Sequence, residues 1–220
     1  MGRHSAGGDK PLPYIETGIM PHRSDEPSDS AIIQNVISGD VNAFEILLER
    51  YQSYVFSIVR KHVPTSHADE VAHEVFIRAY QGLSGFSGKS GFKQWLAGIS
   101  VRTCYDFWRK KYRSKEVPMS SLTNAHREWL ENTISTDAVS NFDEKNRRTE
   151  ALGILDWALG KLSAADRMTL ALVYLEGYSH KEAGVLLGWS VANIKIRAHR
   201  AKKKLYKILM AKKEKIRGPL

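Results

Sequence analysis

The chain has 220 residues, 42% of them apolar, which is enough for one large domain or two small ones with buried cores. Charged residues make up 26%, no stretch reaches the roughly 18 apolar residues of a membrane span, and the polar N-terminus lacks the apolar core of a secretory signal. A lone cysteine, Cys104, excludes a disulfide framework and a Cys-pair zinc site, so the expected setting is the reducing cytoplasm.

Residues 1–29 combine Gly7 and Gly8 with Pro11, Pro13, Pro21 and Pro27 and few hydrophobes, and read as a disordered tail. Helical patterning starts near Ser30, where Ala31, Ile32, Val36 and Ile37 form a short stripe ending at Gly39. Asp40 is placed to cap a longer helix carrying Phe44, Leu47, Leu48, Tyr51, Val55, Ile58 and Val59 at three- and four-residue spacing; Pro64 stops it. A third helix is expected over 66–83, with Ala68, Val71, Ala72, Val75 and Ala79 as its buried stripe. Its far side gathers Asp69, Glu70, His73, Glu74 and Tyr80 around Ile77. An apolar side chain ringed by acids is a candidate protein interface, although a single exposed isoleucine often has no role. Gly82, Gly85 and Gly88 make the following loop.

The fourth helix, expected over 91–112, interleaves Trp95, Tyr105, Phe107, Trp108 and Tyr112 with Lys93, Arg102, Arg109, Lys110 and Lys111. Trp95 and Phe107 fall on its apolar face. Tyr105, Trp108 and Tyr112 fall nearer the surface, where rings can stack unpaired bases while cations hold phosphates, at about 1–3 kcal/mol per base. An ordinary aromatic-rich core helix is the open alternative. Residues 114–141, rich in Ser and Thr and containing Pro118, read as a flexible linker.

Patterning resumes near Phe142 with Leu152, Leu155, Leu159 and Leu162. Ser163 and Asp166 then open a helix bearing Leu170, Leu172, Val173 and Leu175 that ends at Gly177. Ser179-His180-Lys181-Glu182 is a capping box, Gly188 a helix stop and Ser190 the next cap. Two short helices joined by a glycine turn, the second strongly basic, form a helix-turn-helix signature. On the second helix Ile194, Ala198, Ala201 and Leu205 share the face that must be buried. The opposite face presents Ala192, Ile196, His199, Arg200 and Lys203, flanked by Lys195.

Charge sharpens this. The chain carries a net +9, and residues 191–220 alone hold eleven Lys and Arg against one acid, Glu214. A charge concentrated on one helix is the footprint of a polyanion binder, with a solvated Lys-rich helix end, or a helix-turn-helix that binds no DNA, as the open alternatives. On the DNA reading Arg200 or Lys195 suits guanine acceptors as Ile196 suits a thymine methyl. The expected fold is all-α, with two helical domains over 30–113 and 142–211 and a basic tail over 212–220. No Gly-rich phosphate loop, His-Glu-x-x-His or ligand-spaced His and carboxylate set appears, so no catalytic residue, metal or cofactor is expected.

Taken in order, Gly39-Asp40-Val41-Asn42-Ala43-Phe44-Glu45, Ala68-Asp69-Glu70-Val71-Ala72-His73-Glu74-Val75-Phe76 and Phe92-Lys93-Gln94-Trp95-Leu96-Ala97-Gly98-Ile99 with Asp106 and Arg109 resemble the first half of the extracytoplasmic-function sigma factors. Leu162-Ser163, Tyr174-Leu175-Glu176-Gly177-Tyr178-Ser179 and Ala198-His199-Arg200-Ala201 resemble their fourth conserved region. These bacterial sigma-70-family subunits direct RNA polymerase to promoters. The resemblance implies three surfaces. Asp69, Glu70, His73, Glu74 and Ile77 would dock on the clamp coiled coil of the polymerase's largest subunit. Lys93, Arg102, Tyr105, Trp108 and Arg109 would hold the melted −10 strand, and Lys195, Ile196, His199, Arg200 and Lys203 would read −35 duplex. It also implies an anti-sigma factor as regulator. His73 stands where the family usually has Gln, and Arg102 where Asn is common. A stand-alone helix-turn-helix regulator is the alternative; it would need a dimer interface or an effector pocket.

Overall fold

The computed structural model describes residues 27–114, 151, 153–155 and 157–217, the last six by backbone alone. The expected tail over 1–29 therefore lies outside the described residues up to 26. So do the linker beyond Ser114, the start of the second domain up to 150, and the side chains of the basic tail.

Helix α1 (Asp29–Ile37) starts where Ser28 accepts a hydrogen bond from the Ala31 amide at 3.3 Å, and it buries Ile32, Ile33 and Val36. A 3₁₀ turn, Val41–Ala43, leads into α2 (Phe44–His62). Asp40 was expected to cap that helix and does not: it makes no side-chain cap bond. The intervening turn satisfies the first amides through the backbone instead, with Ala43 N–H reaching Asp40 O at 3.2 Å. Helix α3 (Ala68–Gly82) buries the expected Ala68, Val71, Ala72, Val75 and Ala79, plus Phe76. Helix α4 (Phe92–Arg113) buries Leu96, Ile99, Val101, Cys104 and Trp108. Phe86, Phe92 and Trp95 form a ring cluster with centroids 5.1–5.8 Å apart that closes the loop before α4.

The C-terminal half contains helical residues within 151–160, then α5 (Ala164–Leu170), α6 (His180–Leu187) and α7 (Val191–Arg217). Ser163 caps α5 by accepting from Asp166 N–H at 3.2 Å. The helix expected to run on to Gly177 instead widens into a π turn, Ala171–Leu175, after which Gly177 takes φ 73°. Ile194, Ala198 and Ala201 on α7 are buried as the spacing required. No strand occurs among the described residues, in keeping with the all-α expectation.

The two halves share one core. Ala164, Met168, Leu172, Ala183, Leu187 and Ile194 join the apolar cluster built on Leu96, Val101, Cys104 and Trp108, so α5 and α6 pack against α4. A second, smaller cluster of Leu155, Leu159, Leu162, Leu170 and Ala201 belongs to the C-terminal half alone. The physical reason for the joined core is that the α5–π segment has two apolar sides: Leu170 faces its own half and Leu172 faces α4.

Candidate functional site

The helix-turn-helix is built by local hydrogen bonds that its sequence spells out. Ser179 accepts from Glu182 N–H at 3.2 Å, and the Glu182 carboxylate accepts from Ser179 N–H at 2.8 Å. Ser179, through its hydroxyl and its backbone N–H, holds the Glu182 carboxyl below its usual range, because hydrogen bonds to the carboxylate favour the charged form. Gly188 ends α6 with φ 71°, the left-handed conformation that glycine adopts without strain. Ser190 then accepts from Asn193 N–H at 3.2 Å to start α7. Gly184 is required by close approach, since a Cβ there would meet the Trp189 carbonyl oxygen at 2.8 Å.

On α7, Lys195, Ile196, His199, Arg200 and Lys203 are all exposed, and Ile196 keeps 51% of its surface open. Lys202, Lys204 and Lys207 lie exposed beside them. Arg197, a residue not expected to matter, braces this helix. Its Nε donates to Asn193 Oδ1 at 2.8 Å, it sits 3.6 Å from Asp166, and its guanidinium lies 5.3 Å from the Trp189 ring centre. The i, i+4 pairing of Asn193 with Arg197 was the available signal.

On α3, Asp69, Glu70, His73 and Ile77 are exposed on one side. Glu74 is tied: Arg78 donates to it at 2.7 Å and also to Asp106 of α4 at 2.7 Å, and Asp106 pairs with Arg109 at 3.2 Å. Arg78 thereby joins the acidic ridge to the basic helix. The ridge faces solvent on the side of α3 away from its core stripe.

On α4 the expected strand-facing residues divide. Lys93 is exposed with Nζ 4.7 Å from the Tyr54 ring centre, and Arg109 is exposed beside Tyr105. Arg102 is half-buried along its own helix. Its guanidinium lies 3.0 Å from where a Cβ of Gly98 would stand, and it donates to the Leu186 carbonyl of α6 at 3.3 Å. Burial lowers its pKa. Tyr105 meets Trp189 edge to face at 5.3 Å.

Trp108 contradicts the expectation of a ring near the surface. It is fully buried, its Nε1 donates to the His62 carbonyl at 2.8 Å, and the Arg167 guanidinium lies 3.9 Å from its ring centre. A ring covered on that face has no room to stack on a strand. Beside it, His62 Nε2 stands 3.3 Å from Glu176 Oε1. Burial, helped by Lys61, pulls the His62 pKa down to about 4, so the imidazole is neutral near pH 7 and the contact is not an ion pair. Cys104 is buried in the same core, and burial pushes its thiol pKa up.

Among the described residues there is no cluster of His, Cys, Asp or Glu able to hold a metal ion, and no helix long and apolar enough to cross a membrane. Sigma-70 region 2 matches residues 47–114, and sigma-70 region 4 matches residues 152–205. The ECF RNA polymerase sigma-E factor of Escherichia coli K12 is 30% identical over 179 residues, covering 81% of this chain and 93% of that protein. The RNA polymerase sigma-H factor of Pseudomonas aeruginosa is 26% identical over 185 residues, covering 84% of this chain and 95% of that one. A solved complex of CnrH with the cytosolic domain of CnrY aligns at TM-score 0.46 and 24% identity, over 83% of this chain and 97% of that chain.

Proposed function

The chain belongs to the extracytoplasmic-function sigma factors of the sigma-70 family, and from that premise we propose how its three surfaces share the work of starting transcription. A sigma factor binds core RNA polymerase and directs it to promoters; nucleotide addition belongs to the polymerase. The observation that carries the reading is the capped helix-turn-helix with its exposed basic face, within a chain that matches both sigma regions in order.

Helix α7 enters the major groove of the −35 element. Arg200 and Lys195 donate to guanine O6 and N7, Ile196 contacts a thymine methyl, and His199 and Lys203 complete the face. Lys202, Lys204 and Lys207 neutralise phosphates and make binding salt-dependent. Lys93, Arg102, Tyr105 and Arg109 hold the opened −10 strand by ring stacking and phosphate contacts. Asp69, Glu70, His73, Glu74 and Ile77 dock on the clamp coiled coil of the largest polymerase subunit. The family reading also supplies an anti-sigma factor as regulator and the cytoplasm as the site of action.

Co-purification with core polymerase, followed by run-off transcription from genomic fragments, tests this. The expected outcome is a stable complex and discrete transcripts absent with core enzyme alone. Tight duplex binding without polymerase, and no new transcript, would contradict it.

A further inference from the structure

Asp166 lies in the first turn of α5, where an acid is ordinary because it faces the positive end of the helix. Its carboxylate, however, is turned toward another helix. It is 19% exposed and stands 3.6 Å from Arg197 of α7, itself 38% exposed. Asn193, Arg197, Arg200 and Lys204 follow one another along α7 at helical spacing and line the edge of the reading face nearest α5. With Ile196 and Asp166 they enclose an open concavity of about 690 Å³. Three cations and one amide meet a single carboxylate there, so the concavity favours an anion. Arg197 is held at its wall by two further contacts. Its Nε donates to Asn193 Oδ1 at 2.8 Å, and its guanidinium lies 5.3 Å from the Trp189 ring centre.

We propose that this concavity seats one backbone phosphate of the −35 duplex, with Asp166 holding Arg197 in place beforehand and then competing with the phosphate for it. The proposal deepens the −35 reading above and rests on it. A backbone phosphate carries no sequence information, so Arg197 adds affinity and register, while Arg200 beside it keeps the base contact. The guanidinium fork suits a carboxylate and a phosphodiester alike, and passes from one to the other without leaving its place. An ion pair this close to solvent is weak, which makes the exchange easy. Once the phosphate is seated, Asp166 faces it as a like charge and weakens the grip equally on every sequence. The chain therefore leaves wrong duplex sooner, and its base contacts decide where it stays.

The test uses holoenzyme assembled from core polymerase and the full chain, with core alone as background. Two labelled duplexes serve as probes: one carries an upstream block shared by the promoters it starts from, the other the same bases scrambled. Arg197→Gln is expected to weaken binding to both by the same factor. It should also lower the slope of log affinity against log salt by about 0.9, the signature of one lost phosphate. Asp166→Asn is expected to tighten binding to both about threefold. That substitution spares the cap of α5, because the bond to Ser163 comes from the Asp166 backbone N–H. In the Arg197→Gln background the gain from Asp166→Asn should disappear.

Far-UV circular dichroism and urea midpoints check the fold of each chain. Should the Gln chain fail to fold, Arg197→Met keeps the stem against Trp189 and gives the same readout. An unchanged salt slope without the Arg197 charge would overturn the phosphate seat. So would equal or weaker binding by Asp166→Asn, which would make Asp166 a brace or a bystander, or a gain that survives the loss of Arg197. Each of these leaves the −35 reading standing. Equal binding of the two duplexes by wild-type holoenzyme would instead overturn that reading and the proposal with it.

Discussion

Arg200 and His62 carry opposite kinds of consequence from single side chains. Arg200 is exposed on α7 and holds no described partner that fixes it, so its proposed value lies in the groove. Arg200→Ala should therefore cost about 1–3 kcal/mol at one −35 position and leave folding intact, read from transcription off single-base promoter variants. An unchanged base profile would remove it from the reading face. His62 acts through burial. Its pKa falls from 6.5 to about 4 on folding, so between those values the unfolded chain binds more protons than the folded one. Stability is fully present above about pH 6.5 and drains as the pH falls toward 4, by up to about 3 kcal/mol in total. Urea titrations across that window should show the loss, and a His62→Leu chain should show a shallower slope than wild type. Identical slopes would mean that the carboxylates alone set the acid sensitivity.

At the scale of elements, the helix-turn-helix was legible almost bond by bond. Ser179, Glu182, Gly188 and Ser190 sit where local sequence rules put them, because capping and left-handed stops are decided within four residues. The buried stripes of α3 and α7 were legible for the same reason: helical spacing names the inward face. Asp40 misled, because a 3₁₀ turn met the first amides of α2 before any side chain was needed. The π turn at Ala171–Leu175 was not legible, since a five-residue widening leaves the apolar spacing nearly intact. Two element-scale predictions follow from this geometry. Gly184→Ala drives a methyl to 2.8 Å from the Trp189 carbonyl, so the helix-turn-helix should lose about 1–3 kcal/mol, seen as an earlier urea transition. A midpoint equal to wild type would show that the turn can yield. Asp69→Lys with Glu70→Lys alters only exposed positions on α3. Affinity for core polymerase should drop while helicity by circular dichroism stays unchanged; equal affinity in pull-down titrations would end the docking assignment.

For the whole molecule, the sequence indicated two helical halves but not their meeting. Nothing in the periodicity of Trp108 says whether its ring faces solvent, its own half or the other half, and its aromatic and basic neighbours favoured the first. The structure buries it under Arg167, an arginine whose type is usually exposed. Contacts between residues more than fifty positions apart are set by which faces remain uncovered after local folding, and no local rule encodes that. The two halves nonetheless keep separate external surfaces, one acidic on α3 and one basic on α7, and the division of labour depends on both.

The most direct test of that division is to map the 5′ ends of RNA made by core polymerase on genomic DNA, with and without this chain. The expected result is a new set of starts that share two upstream sequence blocks at fixed spacing, one near −35 and one near −10. No new starts, or new starts that share only a single block, would contradict promoter recognition by two surfaces of one chain.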